Sequence, residues 1–307
     1  MSVAGWTKSK GLIAATLTPL KEDFNVNVDL IPGYVDCLLA QGVTQVFAEH
    51  ANLTVEERKS LADQWISCGK GKLSRVIIQC GASNLRDTID LALHASEAGA
   101  DCVSVVLPTY FRPMRLEAAV KYVEVVAKHC PETPIMYYHF PAVTGYEGSC
   151  YEFLKLASAT IPNLIGAKHT SLDLADSSAC AELFDGKFDI VVGAETVLLG
   201  ALAMGIEGAI GVAFNISGRL LNRLIDAFDR GDLAAARVEQ QRANEFWRRS
   251  HKNGDVGDMI AAFKAAMKIC HGLDFGPPRL PISPRNEERM KQLESDIEAM
   301  GFQKWIK

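Results

Sequence analysis

Short apolar segments alternate with helical patterns along the chain as far as Phe214. Between these segments, hydrophobic residues recur at the spacing of one helix face, as at Leu116, Val120 and Val123. Eight apolar segments have the length of strands: Leu12–Pro19, Val43–Ala48, Arg75–Gly81, Cys102–Pro108, Pro134–Phe140, Leu164–Lys168, Phe188–Gly193 and Gly208–Phe214. Strands that are hydrophobic throughout predict a parallel sheet that helices cover on both faces.

The repeated strand–helix unit predicts the architecture. Eight units favour an α/β fold in which a (β/α)8 TIM barrel closes on itself. A doubly wound open sheet is the alternative, but no GxGxxG motif follows an early strand. Beyond the barrel, three segments predict a helical C-terminal extension: Leu233–Ser250, Asp255–Cys270 and Asn286–Ala299. We therefore expect one domain over residues 1–307, with the barrel at about 10–229 and the extension at about 230–307.

Two kinds of local signal mark helix ends. Thr54 and Glu57 have the spacing of a capping box, in which each side chain accepts a hydrogen bond from the backbone of the other residue. Gly99 and Gly205 follow helical patterns, at positions where glycine adopts the left-handed conformation that ends a helix. We expect a helix to begin after Thr54 and helices to end before both glycines.

Composition and charge limit the classes of partner. The 307 residues carry a formal net charge of −5. Nucleic acid and anionic membranes do not attract an acidic protein, so we expect a small-molecule partner and neither of those. Near the amino terminus, Thr16 and Pro19 interrupt a short apolar run that fits neither a signal peptide nor a membrane span. These features predict a cytoplasmic protein.

The eight cysteines are scattered along the chain. They form no CxxC pair, and no Cys/His group has the spacing of zinc ligands. In a chain without a secretion signal, we expect them to be reduced and to act mostly as small apolar side chains. We therefore predict no metal and no cofactor.

A lysine ends the sixth predicted strand, at the barrel end where β/α-barrels carry their reactive groups. Lys168 follows four residues that are apolar or glycine, and burying an ammonium there is costly. Desolvation favours the neutral amine, which can attack a carbonyl carbon and form a Schiff base. The alternative is that the Lys168 side chain reaches solvent or pairs with Asp173.

Two tyrosines end the preceding strand. Side chains alternate along a strand, so only one of Tyr137 and Tyr138 can face the pocket while the other packs in the core. A phenol beside Lys168 could transfer protons as a carbon–carbon bond breaks. The same alternation makes His169 point away from the face that carries Lys168, and we expect a structural role for His139.

Two motifs are specific enough to indicate a family. Tyr138–Gly145 (YHFPAVTG) and Gly166–Thr170 (GAKHT) resemble the paired motif of the N-acetylneuraminate lyase and dihydrodipicolinate synthase family. Gly11–Pro19 and Gly276–Pro281 resemble the lyase branch, and the similarity runs over about Lys10–Gly301. The resemblance implies a β/α-barrel with a helical C-terminal extension.

The resemblance also implies roles for particular residues. The lysine that matches Lys168 forms an imine with the keto carbon of pyruvate, and the tyrosine that matches Tyr138 shuttles the proton. A tyrosine that matches Tyr110 helps to complete the proton relay across a subunit contact, in an assembly that is usually a homotetramer. Thr170, in the lysine motif, is expected to bind substrate.

Three departures from the family pattern fall where ligand contacts are expected. The GTTGE motif that binds the pyruvate carboxylate is missing, because Phe47–Leu53 leads directly into Thr54. An incoming carboxylate would meet the like charge of Glu49 instead. We expect Glu49 and His50 to face the substrate, and the alternative is that both are exposed loop residues left by a deletion.

The other two departures concern the sugar hydroxyls. The family's GxDE sequence is replaced by Gly193-Ala194-Glu195-Thr196, so Gly193, Glu195 and Thr196 are candidate substrate contacts. Val212 stands where the family usually has a serine, and valine offers a hydroxyl only apolar contact.

Three functions are consistent with these observations. The first is a Schiff-base lyase or aldolase that has kept Lys168 and Tyr138 but acts on a carbonyl or amine substrate other than sialic acid. The second is an N-acetylneuraminate lyase that cleaves sialic acid to N-acetylmannosamine and pyruvate. The third is a catalytically silent barrel that binds a metabolite or stabilises an oligomer. Retention of both residues favours an enzyme, and the three departures favour the first function.

Overall fold

The computed structural model of the protein describes residues 5–49, 52–250 and 256–307. Eight parallel strands form a closed barrel, and each strand pairs with its neighbours in chain order. The strands are β1 (Gly11–Ala15), β2 (Gln45–Ala48), β3 (Arg75–Gln79), β4 (Cys102–Val106), β5 (Ile135–His139), β6 (Leu164–His169), β7 (Asp189–Val192) and β8 (Gly208–Gly211). Pairing of Gly11 with Gly208 and of Ala14 with Gly211 closes the barrel. The predicted TIM barrel is confirmed.

Helices follow the strands and surround the barrel. They are α1 (Ile31–Ala40), α2 (Val55–Gly69), α3 (Leu85–Ala98), α4 (Leu116–Ala127), α5 (Pro141–Thr144), α6 (Cys150–Ala157), α7 (Leu174–Gly186), α8 (Leu198–Ala203) and α9 (Phe214–Asp229). Short 3-10 helices occupy Val28–Leu30 and Glu195–Val197. The C-terminal extension is helical as predicted: α10 (Leu233–Ser250), α11 (Val256–His271), α12 (Glu287–Met300) and α13 (Phe302–Trp305). No helix in the described ranges is both long and apolar enough to cross a membrane.

Several predicted strands extend too far at their carboxyl ends. The last predicted strand is wrong at Phe214, since β8 ends at Gly211 and Phe214 is the first residue of α9. Likewise, β1 ends at Ala15, although the apolar pattern continues to Leu17. Both Leu17 and Phe214 are buried. Apolar character therefore continues past the last ladder hydrogen bond, because the loops above the strands also pack on the core.

The core has two layers because side chains alternate along each strand. Inward-facing residues fill the barrel: Ile13, Phe47, Ile77, Cys102, Met136, Tyr138, Ile165, Val191 and Ile210. A larger outer layer, which includes Val46, Val103 and Tyr137, packs between the strands and the helices. The filled interior leaves the carboxyl ends of the strands as the place for a site.

The predicted helix ends are present in the structure. Thr54 and Glu57 form the capping box: the Glu57 amide donates to Thr54 Oγ1 at 3.2 Å, and the Thr54 amide donates to Glu57 Oε2 at 2.9 Å. Gly99 is the left-handed C-cap of α3. The capping box fixes the start of α2, so the helix begins only a few residues after β2 ends.

We predict that Thr54→Ala lowers the free energy of unfolding by about 1 kcal/mol, because the Glu57 amide loses its acceptor at the helix start. Thr54→Ser keeps the hydroxyl and should remain close to the unaltered protein. Urea denaturation followed by circular dichroism measures both variants. Equal loss in the alanine and serine variants would mean that the threonine methyl group, and not the cap, stabilises this turn.

Candidate active site

Lys168 lies in a buried aromatic setting at the carboxyl end of β6. Its side chain projects inward, and the residue is only 3% exposed. The amine Nζ lies 3.9 Å from the ring centroid of Tyr138 and 3.9 Å from that of Phe47. Register brings two of these residues together, since Tyr138 on β5 pairs with Lys168. The amine is therefore held between two rings that exclude water.

The two tyrosines of β5 face opposite sides of the strand, as alternation predicts. Tyr138 belongs to the barrel interior, where its ring meets Phe47 edge-on with a centroid separation of 5.5 Å. Tyr137 lies on the outer side and stacks on Phe153 at 3.7 Å. The phenol available to a reaction beside Lys168 is thus that of Tyr138.

Glu49 connects the amine to the phenol. Its Oε2 lies 3.5 Å from Lys168 Nζ and accepts a hydrogen bond from the Tyr138 hydroxyl at 3.4 Å. The Glu49 side chain is 29% exposed, whereas that of Lys168 is 4% exposed. The alternative partner, Asp173, instead caps the start of α7 by accepting the Asp176 amide. Glu49 is therefore the group through which the buried pair meets solvent.

Burial and charge act on these groups in opposite directions. Burial lowers the pKa of Lys168, and the negative charges of Glu49 and Glu195 oppose that shift. Burial also raises the pKa of Tyr138 well above its ordinary range, and the charge of Glu49 adds to the increase. The environment thus favours a neutral amine next to a protonated phenol, which is the pair of protonation states that imine chemistry requires.

Glu195 lies at the start of the 3-10 helix that follows β7, and it is buried. Its Oε1 accepts the Ala213 amide at 2.8 Å, and burial raises its pKa. The C-terminal extension holds this turn in place: Gln240 on α10 donates to the Glu195 carbonyl at 3.1 Å, and Asn244 donates to the Thr196 carbonyl at 3.1 Å. Glu195 therefore serves the loop structure in addition to contributing charge near Lys168.

The remaining predicted contacts surround the strand ends. Gly193 follows β7 and lies so close to Thr170 that a β-carbon there would come within 1.8 Å of Thr170 Oγ1. The Thr170 hydroxyl is buried beside the Tyr138 hydroxyl, and this polar contact partly offsets the rise in the pKa of the phenol. Val212 is partly buried and packs against the outer core. Of these residues, Thr170 places a buried polar atom next to the Tyr138 phenol.

One predicted site residue does not join this cluster, and another is not among the described residues. Tyr110 is 83% exposed and packs edge-on against Phe111 with a centroid separation of 4.8 Å. His50 lies outside the described residues. Within one chain, therefore, the structure brings together Lys168, Tyr138 and Glu49, while Tyr110 lies on the surface.

Sequence reasoning missed Phe47, whose ring is as close to the Lys168 amine as that of Tyr138. The sequence did contain an indication: Phe47 and Glu49 are two residues apart, so their side chains lie on the same face of β2 and its continuation. An aromatic residue in a buried strand, however, is usually core, and only the closed barrel places this ring against the lysine.

Comparisons with known proteins establish the family. The chain matches the Dihydrodipicolinate synthetase family over residues 8–300. It belongs to this family. It is 35% identical to N-acetylneuraminate lyase of Mus musculus over 302 residues, which cover 96% of this chain and 93% of the mouse protein. It is 38% identical to the lyase of Xenopus tropicalis, with coverage of 92% and 93%.

Solved structures agree with this assignment. Proteus mirabilis N-acetylneuraminate lyase superimposes with a TM-score of 0.91 at 32% identity, covering 96% of this chain and 100% of that one. An E. coli K12 prophage protein of the dihydrodipicolinic acid synthase family, solved in complex with pyruvate, gives 0.86 at 26% identity, with coverage of 95% and 98%. The protein is therefore an enzyme of the Schiff-base lysine aldolase family. Enzymes of this family are carbon–carbon lyases.

We predict that Glu49→Gln shifts the reactivity of Lys168 to lower pH. The charge of Glu49 raises the pKa of Lys168 against the effect of burial, so removing it lowers that pKa further and the neutral amine persists into more acidic solution. Reductive methylation of Lys168 across a pH series, followed by peptide mass spectrometry, measures the midpoint. Glu56→Gln, an exposed position on α2, is the control and should leave it unchanged. If the midpoint is the same in Glu49→Gln as in the unaltered protein, the charge of Glu49 does not act on the Lys168 amine in solution, and the prediction is wrong.

Proposed function

We propose that the protein is an aldolase of the sialic acid lyase type, which cleaves a 2-oxo acid such as N-acetylneuraminate to pyruvate and N-acetylmannosamine. The supporting observation is that Lys168 Nζ lies against the ring of Tyr138, in a buried cluster at the carboxyl end of the barrel. N-acetylneuraminate lyases that align with nearly the whole chain support the same reaction.

In the proposed mechanism, the neutral Lys168 amine attacks the keto carbon of the substrate. The carbinolamine loses water and leaves an imine, which withdraws electrons from the carbon–carbon bond to be broken. As that bond breaks, the Tyr138 hydroxyl passes its own proton to the Glu49 carboxylate, the Tyr138 oxygen accepts the proton of the substrate hydroxyl, and the aldehyde leaves. The enamine of pyruvate takes up a proton, and water then hydrolyses the imine to release pyruvate and restore the amine.

Glu49 is proposed to replace the hydroxyl relay of the missing GTTGE motif. Its Oε2 is within 3.5 Å of both the Lys168 amine and the Tyr138 hydroxyl, so one carboxylate can exchange protons with either. Because its side chain is partly exposed, it can also pass a proton to solvent. Thr170, Thr196 and Val212 are proposed to contact the rest of the substrate, beside Gly193 and Glu195.

A second function is favoured by the same carboxylate. Glu49 and Glu195 both place negative charge near Lys168, where the carboxylate of a 2-oxo acid would enter. Two like charges about 4 Å apart repel by up to about 4 kcal/mol at an effective dielectric constant near 20, and the partial exposure of Glu49 reduces this. A carbonyl substrate without that carboxylate, or one that carries an amine, would avoid the repulsion.

Trapping experiments distinguish these functions. With pyruvate and borohydride, we expect a stable adduct on Lys168 by intact mass and peptide mapping, and none in Lys168→Ala. An enzyme-linked assay for pyruvate should show turnover of N-acetylneuraminate of order 1 per second or more. If only ketones and aldehydes that lack a carboxylate are trapped, the second function replaces the first.

Absence of an adduct with every carbonyl compound would leave only the third function, a silent barrel. Circular dichroism and thermal melting should show that Lys168→Ala is folded. We expect little loss of stability in this variant, since a desolvated amine is removed from a buried site. Turnover by Lys168→Ala at the unaltered rate would contradict the Schiff-base mechanism itself.

We also propose that the chain assembles as a homotetramer through surfaces that include the loop before α4. The side chains of Tyr110, Phe111 and Met114 are at least 80% exposed on this loop, and clustered exposed aromatic residues mark interaction sites. Light scattering during gel filtration should give the mass of four chains, and Phe111→Glu should reduce it. Phe24→Glu, at another exposed phenylalanine, should not. A monomeric unaltered protein would contradict this assembly.

A further inference from the structure

Two polar side chains on neighbouring strands are buried in the barrel without hydrogen bonds. Gln79, the last residue of β3, is 2% exposed, and Ser104 on β4 is fully buried. Within the described ranges, the Gln79 amide nitrogen, the Gln79 amide oxygen and the Ser104 hydroxyl have no hydrogen-bond partner. Buried polar groups are nearly always paired, because losing water without a replacement costs free energy. Two such residues together indicate a place where a ligand supplies the partner.

Both side chains face the interior of the barrel. Gln79 lies two residues after Ile77, and Ser104 lies two residues after Cys102. Ile77 and Cys102 belong to the inward-facing core, and alternation along each strand gives Gln79 and Ser104 the same direction. Register also pairs Gln79 with Ser104 across β3 and β4. The amide and the hydroxyl are therefore side by side on the inner wall.

The register sets the height of this wall in the barrel. Because the strands of an eight-stranded barrel tilt against its axis, residues at equal height lie about one position further along each successive strand. Two strands on, the register partner of Phe47 is Cys102 and that of Ser104 is Gly166. Advancing two positions from these partners gives one layer of alternate strands, which β8 completes: Phe47, Ser104, Lys168 and Ile210.

The next layer towards the carboxyl ends contains the other half of the wall. By the same rule it consists of Ala15, Gln79, Tyr138 and Gly193. Ser104 is thus level with Lys168, and Gln79 is level with Tyr138. Around the barrel, β3 and β4 lie between β2, whose continuation carries Glu49, and β5. The polar wall therefore borders the reacting groups on the side between Glu49 and Tyr138.

Depth selects the part of a substrate that can reach this wall. The site opens at the carboxyl ends of the strands, so a substrate joined to Lys168 through its keto carbon extends outward from there. Only a group bonded directly to that carbon stays at the depth of Ser104. In a 2-oxo acid, the polar group in that position is the carboxylate. An amide N–H and a hydroxyl are neutral donors that a carboxylate accepts.

We propose that the Gln79 amide and the Ser104 hydroxyl bind the substrate carboxylate. The inference rests on the proposed function, cleavage of a 2-oxo acid, and it supplies the carboxylate donors that the missing GTTGE motif would provide. Two hydrogen bonds to a charged group, together with the positive charge of the protonated imine, offset the repulsion from Glu49. The two residues also set specificity, since a ketone without a carboxylate leaves both of them unpaired.

Trapping with pyruvate and borohydride tests the site in the full-length protein, through the pyruvate concentration that gives half-maximal labelling of Lys168. Gln79→Met, which is similar in size but has no amide, should raise that concentration about 10- to 100-fold, since a hydrogen bond to a charged group is lost. Gln79→Glu should raise it further, because its charge repels the carboxylate. Ser104→Ala should raise it about 10-fold. The rate of trapping with acetone, which has no carboxylate, is the control and should stay nearly the same.

Stability separates ligand binding from a structural role. Ser104→Ala removes a buried hydroxyl that has no partner, so its melting temperature should equal or exceed that of the unaltered protein. A residue that only supports the barrel would instead lose stability together with pyruvate binding. If Gln79→Met fails to fold, Ser104→Ala decides, because it loses a single oxygen atom.

The outcomes distinguish this site from the proposed function. If pyruvate is trapped by the unaltered protein and half-maximal labelling is unchanged in the variants, the carboxylate site is wrong and the proposed function stands. Equal weakening of trapping by pyruvate and by acetone also overturns the site, because the two residues would then act on the amine. Absence of a pyruvate adduct in the unaltered protein overturns the proposed function and the carboxylate site with it.

Discussion

The buried amine of Lys168 is the constraint on which the active site depends. A primary amine tolerates burial only when its surroundings favour the neutral form or offer a compensating charge. This barrel supplies both, because the rings of Phe47 and Tyr138 exclude water and Glu49 lies 3.5 Å away. Together with Lys168, those groups come from β2 and its continuation, β5 and β6, which the closed barrel brings around one point. Closure of the sheet is thus a requirement of the chemistry.

Glu49 sets the pKa of Lys168 against the effect of burial, at the place where the sequence lacks the GTTGE motif. Its charge favours the ammonium form of Lys168, while burial favours the amine. The same charge holds the Tyr138 proton in place and opposes an incoming carboxylate. One side chain therefore acts on the pKa of the amine and on the pKa of the phenol, and in the proposed function it also bears on the choice of substrate. These effects cannot be altered independently of one another.

Because side chains alternate along a strand, the outward-facing residues of β5 and β6 pack against the helices while the inward-facing ones form the site. The inward side chains are the phenol and the amine, while the outward imidazoles of His139 and His169 meet α6 and α7. The His169 contacts with Asp176 and Ser177 tie the end of β6 to α7. The outer face thereby limits how far the inner groups can move. Support of this kind matters because proton transfer depends strongly on short distances.

By itself, the sequence determined the barrel, the C-terminal helices and the capping box at Thr54, and it predicted the place of Lys168 at the end of β6, while the structure decided that the side chain is buried. These features follow from local periodicity and from the alternation of side chains along a strand, which the chain encodes within a few residues. It also indicated the family through the motifs at Tyr138–Gly145 and Gly166–Thr170, which the comparisons confirm. Strand ends were less well determined, since apolar residues continue into the packed loops.

Only the tertiary structure decided which distant groups meet. Glu49 lies 119 positions from Lys168 and 89 from Tyr138, and nothing local to β2 indicates that its carboxylate touches both. Phe47 read as an ordinary core residue, and no motif indicated the polar side chains of β3 and β4 that face the barrel interior. Such contacts are set by barrel register and helix packing, which join residues far apart in the chain and leave no periodic pattern in it.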